Sequence, residues 1–509
     1  MPQQATRKAA LKGLATALLL GATGCSVGPD YRRPAQEVPA AFVAKGPGPE
    51  PGPVWPDRDW WHGFASPELD ALIAEAERNN FDIAAAIARI RQADAAVRIA
   101  GAPLLPTLSG SASGSMTQEG LGSRNTSLGV QQFRSGSITI HQYNADLNAS
   151  YVLDFWGLNR SARNAAVASA AFSRFDAETV RLTVLTSVAQ TWFTALELAD
   201  RLAVAEQNLK DARASLAVIV GRLEAGTATT LDRDQQAALV ATEEANIPAL
   251  RSQLEQQLIG LGILIGKPPE AVTARPGTLT ALAAPPVAPG LPSALLKRRP
   301  DVASAEAQLV AANFDIKAAD AAFFPNIALT GQRGYGNSAL SNLFSPGGFI
   351  AVLAATASQP IFDGGALRGR LEQAKGRYQE LAANYRKAVV QAFTDVETAL
   401  TAWRYATEQE ALARKAVAAA HAAADAARAQ MAAGTADVTT LLSTETTLFA
   451  DQDALVQVRL ARFLALLNLY KALGGGWQEP EGGVMDVVPA LGPGIVRGGL
   501  ALPGTENME

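Results

Sequence analysis

The chain has 509 residues, of which 48% are hydrophobic and 18% are charged, and its formal net charge is −4. This composition supports a large folded structure and excludes a globally disordered chain. The weak negative charge, without any basic block, gives no indication of nucleic-acid binding. Because the chain contains one cysteine, a disulfide framework within it is excluded.

Residues 1–25 have the pattern of an export signal. Basic residues precede a short apolar run, which is too short to span a bilayer as a mature helix. The segment Ala22–Cys25 (ATGC) resembles a lipobox, in which the cysteine sulfur receives diacylglycerol, with alanine where leucine is usual. We therefore predict a signal peptide at 1–24 and a lipid anchor on Cys25. Ser26, rather than an aspartate, follows the cysteine and favours the outer membrane.

The two halves of the chain repeat one pattern. Three matches occur in the same order, at Pro106 and Pro325, at Asp154 and Asp363, and at Gly226 and Gly434. Their offsets are 219, 209 and 208 residues (325 − 106, 363 − 154, 434 − 226), so the first copy carries a longer loop within 107–153. Each half is therefore predicted to run helix, two strands, long helix, turn and helix.

Two stretches without Gly or Pro predict unusually long helices. One stretch has 63 residues between Gly157 and Gly221, and the other has 57 residues between Gly376 and Gly434. At a rise of 1.5 Å per residue, continuous helices there would reach roughly 95 Å and 85 Å. Helices of this length need a coiled-coil-like partner surface, because a compact core cannot cover them.

Residues 143–153 alternate between an apolar face of Tyr, Ala and Leu and a polar face of Asn, Asp and Ser. This pattern is typical of a transmembrane β-strand. A strand of a soluble β-sandwich, with one face buried, is an equally good alternative. Segments 107–116, 326–332 and 349–359 are further strand candidates. Four strands are too few to close a membrane barrel, which needs at least about eight. If the strands span a membrane, several chains must therefore complete the barrel.

Four segments together resemble a known family. They are Leu295–Val302 (LLKRRPDV), Ala318–Pro325 (AADAAFFP), Cys25–Tyr31 (CSVGPDY) and Gln359–Gly365 (QPIFDGG). With the Gly-Thr turns at Gly226 and Gly434, they resemble the outer-membrane factors of tripartite efflux systems. These are the TolC-like proteins, and the match is to their NodT/OprM-like lipoprotein branch. The resemblance covers about residues 25–475.

The resemblance implies a mainly α fold with a small β part. Each chain of a homotrimer would contribute four strands to a transmembrane β-barrel in the outer membrane, and the long helices would form an α-helical barrel through the periplasm. The implied partners are a periplasmic adaptor protein, an inner-membrane transporter of the resistance–nodulation–division (RND) class, and outer-membrane lipid. The expected function is an exit duct gated at its periplasmic tip, and the alternative is a structural coiled-coil periplasmic lipoprotein without a pore.

The predicted organisation follows from the repeat and the resemblance. In chain order it comprises a signal peptide (1–24), a lipidated N-terminal segment and linker (25–64), a first-repeat helix (65–106), a β-hairpin (107–155), a long helix pair (156–280), a linker and helix (281–324), a second β-hairpin (325–362), a second long helix pair (363–473) and a flexible tail (474–509).

The resemblance places the gate and the adaptor contact near the two turns. The residues expected to contact the adaptor are Gly226, Thr227, Gly434 and Thr435. Asp232, Asp234 and Asp437 follow the turns, and threefold symmetry would triple each carboxylate into a ring that binds cations. Asp232 is the preferred candidate, and a solvated acidic turn is the alternative for each residue.

The second turn departs from the OprM-like pattern. Those members carry Arg-Tyr before this turn and an aspartate after it, forming a charged lock. This chain has Gln430 and Met431 before the turn and Ser443 at the acidic position. We therefore predict a looser or differently bonded gate.

Catalytic and metal-binding patterns do not emerge from the sequence. His62, His141 and His421 lack metal-ligand spacing, and we expect neither enzymatic activity nor a cofactor other than the lipid on Cys25. Five methionines without a cluster do not indicate copper or silver export. Drugs, metals, lipids and signal molecules all fit a duct whose transporter selects the substrate.

Overall fold

The structure is a computed structural model that describes residues 27–47, 53–122 and 135–480. The predicted signal peptide, the lipidation at Cys25 and residues 481–509 of the predicted tail lie outside this part of the chain. The described part is mainly helical with one small sheet, which confirms the predicted fold class.

The helices and strands follow the duplicated order. The helices are α1 (Pro67–Asn79), α2 (Phe81–Gly101), α3 (Leu158–Glu224), α4 (Thr230–Leu264), α5 (Pro292–Leu295), α6 (Pro300–Ala321), α7 (Ala366–Ala432) and α8 (Val438–Ala472). The strands are β1 (Thr107–Gly122), β2 (Ser135–Leu153), β3 (Asn326–Asn337) and β4 (Phe349–Ser358).

The duplication extends to element lengths. Helices α3 and α7 each have 67 residues, and helices α4 and α8 each have 35 residues. At 1.5 Å per residue, the longer pair reach about 100 Å each. Helix α7 begins ten residues before Gly376, the start of the proline- and glycine-free stretch. An isolated glycine costs a helix only about 1 kcal/mol relative to alanine, so Gly369 and Gly376 do not end it.

Two helices occupy the segment 65–106, where a single helix was expected. Asn80 adopts an extended conformation between α1 and α2. Its side-chain oxygen accepts hydrogen bonds from the backbone N–H groups of Asp82 (2.8 Å) and Ile83 (3.1 Å), and its amide nitrogen donates to the carbonyl of Leu264 (2.8 Å). Asn80 therefore caps α2 and holds the end of α4, and this double role separates the two helices.

One compact unit comprises the described residues of 1–32, 93–170 and 308–381. It contains an antiparallel sheet in the order β1-β2-β3-β4. Thr107 pairs with Ser150, and Asn326 pairs with Ser358, so the helix-proximal ends of all four strands lie at one end of the sheet.

The register gives the sheet two unlike faces. Residues directly opposite each other in antiparallel strands share a face. The face that we call the apolar face includes Leu108, Met116, Tyr143, Ala145, Leu147, Ile327, Leu329, Phe349 and Leu353. The opposite, polar face includes Ser109, Ser111, Ser113, Asn144, Asp146, Asn148, Thr330 and Gln332. On the polar face, the amide of Asn148 donates to the hydroxyl of Ser111 at 3.1 Å.

Duplicated aspartates cap the two longest helices. The Asp154 carboxylate accepts hydrogen bonds from the backbone N–H groups of Asn159 (3.1 Å) and Arg160 (2.9 Å) at the start of α3. The Asp363 carboxylate accepts from Gly365 (2.9 Å) and Leu367 (2.7 Å) at the start of α7. The repeated Asp-x-x-Gly pattern therefore marks the two strand-to-helix junctions.

The second compact unit comprises the described residues of 33–92, 171–307 and 382–509. Its core contains a cluster of buried rings. Phe64 lies 5.1 Å from Phe193 and 6.4 Å from Phe463, measured between ring centroids, and Trp60 lies 5.6 Å from Tyr470. These aromatic contacts fix the 3-10 helix Trp60–Phe64 against α3 and α8.

None of the helices in the described residues combines the length and apolar character needed to cross a membrane.

Candidate functional site at the paired helical turns

Both long helix pairs reverse direction through the same kind of turn. Gly226 (φ +73°) and Gly434 (φ +76°) lie in the left-handed region, which favours glycine. The Thr227 N–H donates to the carbonyl of Arg222 at 2.8 Å, and the Thr435 N–H donates to the carbonyl of Gln430 at 2.9 Å. These bonds close the ends of α3 and α7 in the manner of a Schellman motif. The two predicted tip turns are therefore matched structures.

The carboxylates after the turns cap the next helices. Asp232 accepts a hydrogen bond from the Thr229 N–H (2.7 Å), while the Thr229 hydroxyl accepts one from the Asp232 N–H (3.2 Å). In the second copy the cap is Asp437, which accepts from the Thr440 N–H at 2.7 Å. Hydrogen bonding to the side chain and to the backbone N–H of Thr440 lowers the pKa of the Asp437 carboxyl. The Thr and Asp of the two caps thus exchange positions between the copies.

The other predicted gate residues occupy less specialised positions. Asp234 is exposed and forms an ion pair with the neighbouring Arg233 at 2.7 Å. Ser443 lies within α8, and its carbonyl accepts a hydrogen bond from the Thr447 hydroxyl at 2.9 Å. The roles of Asp232, Asp234, Asp437 and Ser443 in gating remain predictions.

Arg222, which the sequence did not single out, links the two turns. Its guanidinium donates to the carbonyl of Met431 at 2.9 Å, across from the end of α3 to the end of α7. Met431 is buried, and it packs in an apolar cluster with Ile219, Ala427, Val438 and Leu441. A methionine in place of the aromatic residue of the OprM-like pattern therefore fills an apolar junction between the turns.

A buried carboxylate joins all four long helices close to the turns. Glu445 on α8 is fully buried, and three side chains contact it. The Ser215 hydroxyl donates from α3 at 2.6 Å, the Gln236 amide donates from α4 at 3.0 Å, and the Arg428 guanidinium donates from α7 at 2.9 Å. Removing any of these groups would leave buried polar atoms without partners, so Glu445 specifies how the four helices pack.

Further charged contacts continue this arrangement along the helices. Glu410 on α7 lies 3.2 Å from Arg459 and 2.7 Å from Arg462 on α8. Burial raises the pKa of the Glu410 carboxyl, but Arg414, Arg462 and Arg459 outweigh it and lower this pKa overall. Arg201 on α3 contacts Asp453 on α8 at 2.6 Å. Such partly buried pairs fix the register between long helices.

Metal-binding geometry is missing from the described part of the chain. No group of three or more His, Cys, Asp and Glu side chains there could hold a metal ion.

A duplicated chain with two matched pairs of long helices, a single sheet with unlike faces and braced helical turns has the architecture of an efflux channel subunit. The family model described as outer membrane efflux protein matches residues 72–267 and 291–475, and the chain belongs to this family.

Curated relatives agree with this assignment. The chain is 37% identical to the pyoverdine export outer membrane protein OpmQ of Pseudomonas aeruginosa, over 84% of this chain and 89% of the relative. It is 30% identical to the cation efflux system protein CusC of Escherichia coli O6:H1, over 90% of this chain and 97% of the relative.

Solved structures share the fold. The open state of the MtrE outer membrane channel of Neisseria gonorrhoeae has a TM-score of 0.78 and 29% identity, covering 89% of this chain and 99% of that chain. The outer-membrane channel OprN has a TM-score of 0.81 and 25% identity, covering 89% of this chain and 100% of that chain. The predicted family, outer-membrane location and exit-duct function are thereby confirmed.

Proposed function

We propose that three copies of the chain form the gated exit duct of a tripartite pump. A periplasmic adaptor docks at the paired turns, and an inner-membrane transporter of the RND class supplies the substrate. The observation that carries this proposal is the sheet: β1 and β4 each pair with one described strand, and the two faces are apolar and polar. Pairing β1 of one copy with β4 of the next would satisfy both outer edges and enclose the polar face.

The paired turns support the gate in this proposal. Threefold symmetry would place three copies of Asp232 and of Asp437 around one axis. Within each chain, the Arg222–Met431 contact and the Glu445 cluster hold the two turns together, so the two helix pairs open and close as one braced unit. These contacts support the differently bonded gate that Gln430, Met431 and Ser443 predict.

Conductance in a planar lipid bilayer tests the duct and the ring together. Purified wild-type protein should form discrete cation-preferring channels. Asp232→Asn keeps an oxygen that can accept the Thr229 N–H but removes the charge, so cation preference should fall while the cap persists. The matched control is Glu270→Gln, an exposed carboxylate outside the long helices, which should conduct as the wild type does. Unaltered selectivity in Asp232→Asn would contradict the proposed carboxylate ring. Absence of channels in the wild-type protein would contradict the proposed duct.

The lipid anchor is a separate part of the proposal. A diacylglycerol on Cys25 would hold the amino terminus at the membrane, in keeping with the lipobox-like segment Ala22–Cys25. Intact-mass measurement of protein purified from membranes should show a lipid adduct that Cys25→Ser lacks. Equal masses, apart from the one-atom exchange, would contradict lipidation.

A further inference from the structure

Arg333 interrupts the apolar face of the sheet. It lies on β3 directly opposite Leu147 of β2 and Ala351 of β4, both of which belong to the apolar face. Among the strand residues whose side chains the structure describes, it is the one Lys, Arg, Asp or Glu on that face. The nearby residue Asp146 is the strand partner of Gly334, so its carboxylate lies on the polar face. Arg333 is exposed, so neither packing nor a counter-ion on its own face explains the charge.

An aromatic frame of Phe349, Tyr335 and Phe344 extends from the guanidinium. Arg333 lies over the ring of Phe349, 5.6 Å from its centroid. Tyr335 contacts Phe349 at 5.8 Å and Phe344 at 5.5 Å, both between ring centroids and both edge to face. Phe344 is 72% exposed. Aromatic rings beside a cation are typical of the level where lipid head groups meet the hydrocarbon of a membrane.

The position of Arg333 along the strand agrees with that level. Arg333 is seven residues beyond Asn326, the helix-proximal end of β3, which is roughly 23 Å at 3.3 Å per residue. An arginine on a lipid-facing strand costs about 2–4 kcal/mol at the bilayer midplane but only about 0–1 kcal/mol near the interface. β3 ends at Asn337, four residues further on, and the partner Ala351 is two residues after the start of β4, so Arg333 lies towards the loop end of this hairpin. Strands β1 and β2 continue beyond this level. The aromatic frame marks the level as an interface, where the charge is tolerated.

Small residues leave a recess beside Arg333. A cavity of about 570 Å³ has a lining that includes Gly110, Ala112, Ala145, Leu147, Arg333 and Phe349. The alanines and glycines lower the floor of this recess, while Leu147 (54% exposed) and Phe349 (47% exposed) form walls. Ser111 and Asp146 also belong to the lining, but the register places their side chains on the polar face. On the apolar face, Arg333 is therefore the one charged group of the recess, and an acyl chain fits the rest of it.

We propose that Arg333 and its aromatic frame bind the phosphate of a membrane lipid, whose acyl chain lies in the recess. A guanidinium binds a phosphate through two parallel hydrogen bonds, which suits a negatively charged head group held at the interface. The site would hold the sheet at a defined depth. This inference rests on the proposed insertion of the sheet into the membrane.

Native mass spectrometry of the full-length protein in detergent tests the site, with lipid A as the probe and dephosphorylated lipid A as its matched partner. Wild-type protein should retain lipid A, and Arg333→Gln should reduce the bound fraction about fivefold or more. Arg333→Lys keeps the charge but loses the paired hydrogen bonds, so its retention should be intermediate. Arg404→Gln is the control, because Arg404 also lies over a ring, 4.5 Å from the Tyr405 centroid, but on α7.

Two results would overturn the proposal: equal retention by Arg333→Gln and the wild type, or equal retention of the phosphorylated and dephosphorylated lipids by the wild type. Channel formation by the same wild-type sample in planar bilayers separates this outcome from failure of the duct. Conducting protein without phosphate-dependent retention refutes the lipid site alone, whereas protein that forms no channels refutes the proposed function.

Discussion

Glu445 contacts side chains from three other helices, and its burial makes each contact consequential. An ionised carboxylate without partners would be strongly disfavoured at a fully buried position. The hydroxyl of Ser215, the amide of Gln236 and the guanidinium of Arg428 supply the compensating hydrogen bonds. A buried polar cluster of this kind specifies one packing arrangement more sharply than apolar contacts do.

Glu445→Gln should loosen the helices near the turns. The substitution removes the negative charge that faces Arg428, whose side chain is 27% exposed, so the cost is discounted to about 1–2 kcal/mol. Hydrogen–deuterium exchange in the first turns of α4 and α8 should become about 5- to 30-fold faster. Glu372→Gln is the control, because its ion pair with Arg368 is exposed, and exchange there should change less than twofold. Unchanged exchange in Glu445→Gln would contradict the bracing role.

Glu243 should make α4 sensitive to pH. It is 8% exposed, and burial raises the pKa of its carboxyl above the ordinary value of 4.5. The protonated form therefore suits the folded helix, and stability is lost as the pH rises through the raised pKa. Glu243→Gln should slow exchange in α4 at pH 7 and have no effect at pH 4. Glu244→Gln, which removes an exposed partner of Arg213, should not slow exchange at either pH.

Sequence reasoning found some site residues and missed others for a physical reason. The positions of Asp232 and Asp437 could be predicted, because carboxylates that directly follow a Gly-Thr turn recur at the start of a helix. Arg222 and Glu445 were missed, since each acts through partners about 200 residues away, such as Met431 (209 apart) and Ser215 (230 apart). Arg333 was missed as well, because its face is defined only by the register with β2 and β4.

The turns are the elements whose backbone is most constrained by residue type. Gly226 adopts φ +73° between α3 and α4, whereas Gly221 lies in the last turn of α3. A methyl group added at either position would meet no described neighbour within 4 Å. Their substitution by alanine therefore isolates the effect of backbone conformation from that of packing.

Gly226→Ala and Gly221→Ala should have opposite effects. Alanine at position 226 is strained by about 1–2 kcal/mol in the left-handed region, while alanine at position 221 adds up to about 1 kcal/mol of helix propensity. Exchange of the Thr227 amide, which bonds to Arg222, should accelerate in the first variant and slow in the second. Changes of the same sign in both variants would refute this assignment of the turn.

Element types were predictable wherever a periodic pattern was long, and bounds were not. The strands β1 and β3 extend beyond the predicted segments 107–116 and 326–332, because pairing with β2 continues where the alternation is interrupted by glycine and polar residues. The break at Asn80 was hidden, since the hydrogen bond that favours it reaches Leu264, 184 residues away. Local patterns thus specify helix or strand, and distant contacts decide where each one stops.

At the scale of the whole molecule, the sheet has two outer edges that no strand of the described residues covers. Its order, β1-β2-β3-β4, leaves β1 and β4 at the two outer edges. A strand edge and an exposed apolar face in one element are a hazard for a single chain but an interface for an assembly.

Purified protein in detergent should have a native protein mass of three chains. Since each chain has a mass of 53.1 kDa before processing, trimers and monomers are easily distinguished by light scattering corrected for detergent. A monomeric wild-type protein would contradict the proposed assembly.

Each repeat is closed by a contact between its first and last helices. The Asn80 amide donates to the carbonyl of Leu264, and 219 residues later (299 − 80) the Arg299 guanidinium donates to the carbonyl of Ala472 at 3.0 Å. The same clasp is made once with an amide and once with a guanidinium, so the duplication of the chain extends to a contact whose chemistry differs between the two copies. The clasp of the second half carries additional charged contacts, since Arg299 also binds Asp301 and Asp395. Because Asn80 carries no charge, a first half placed in the second position would leave Asp301 and Asp395 without this cation.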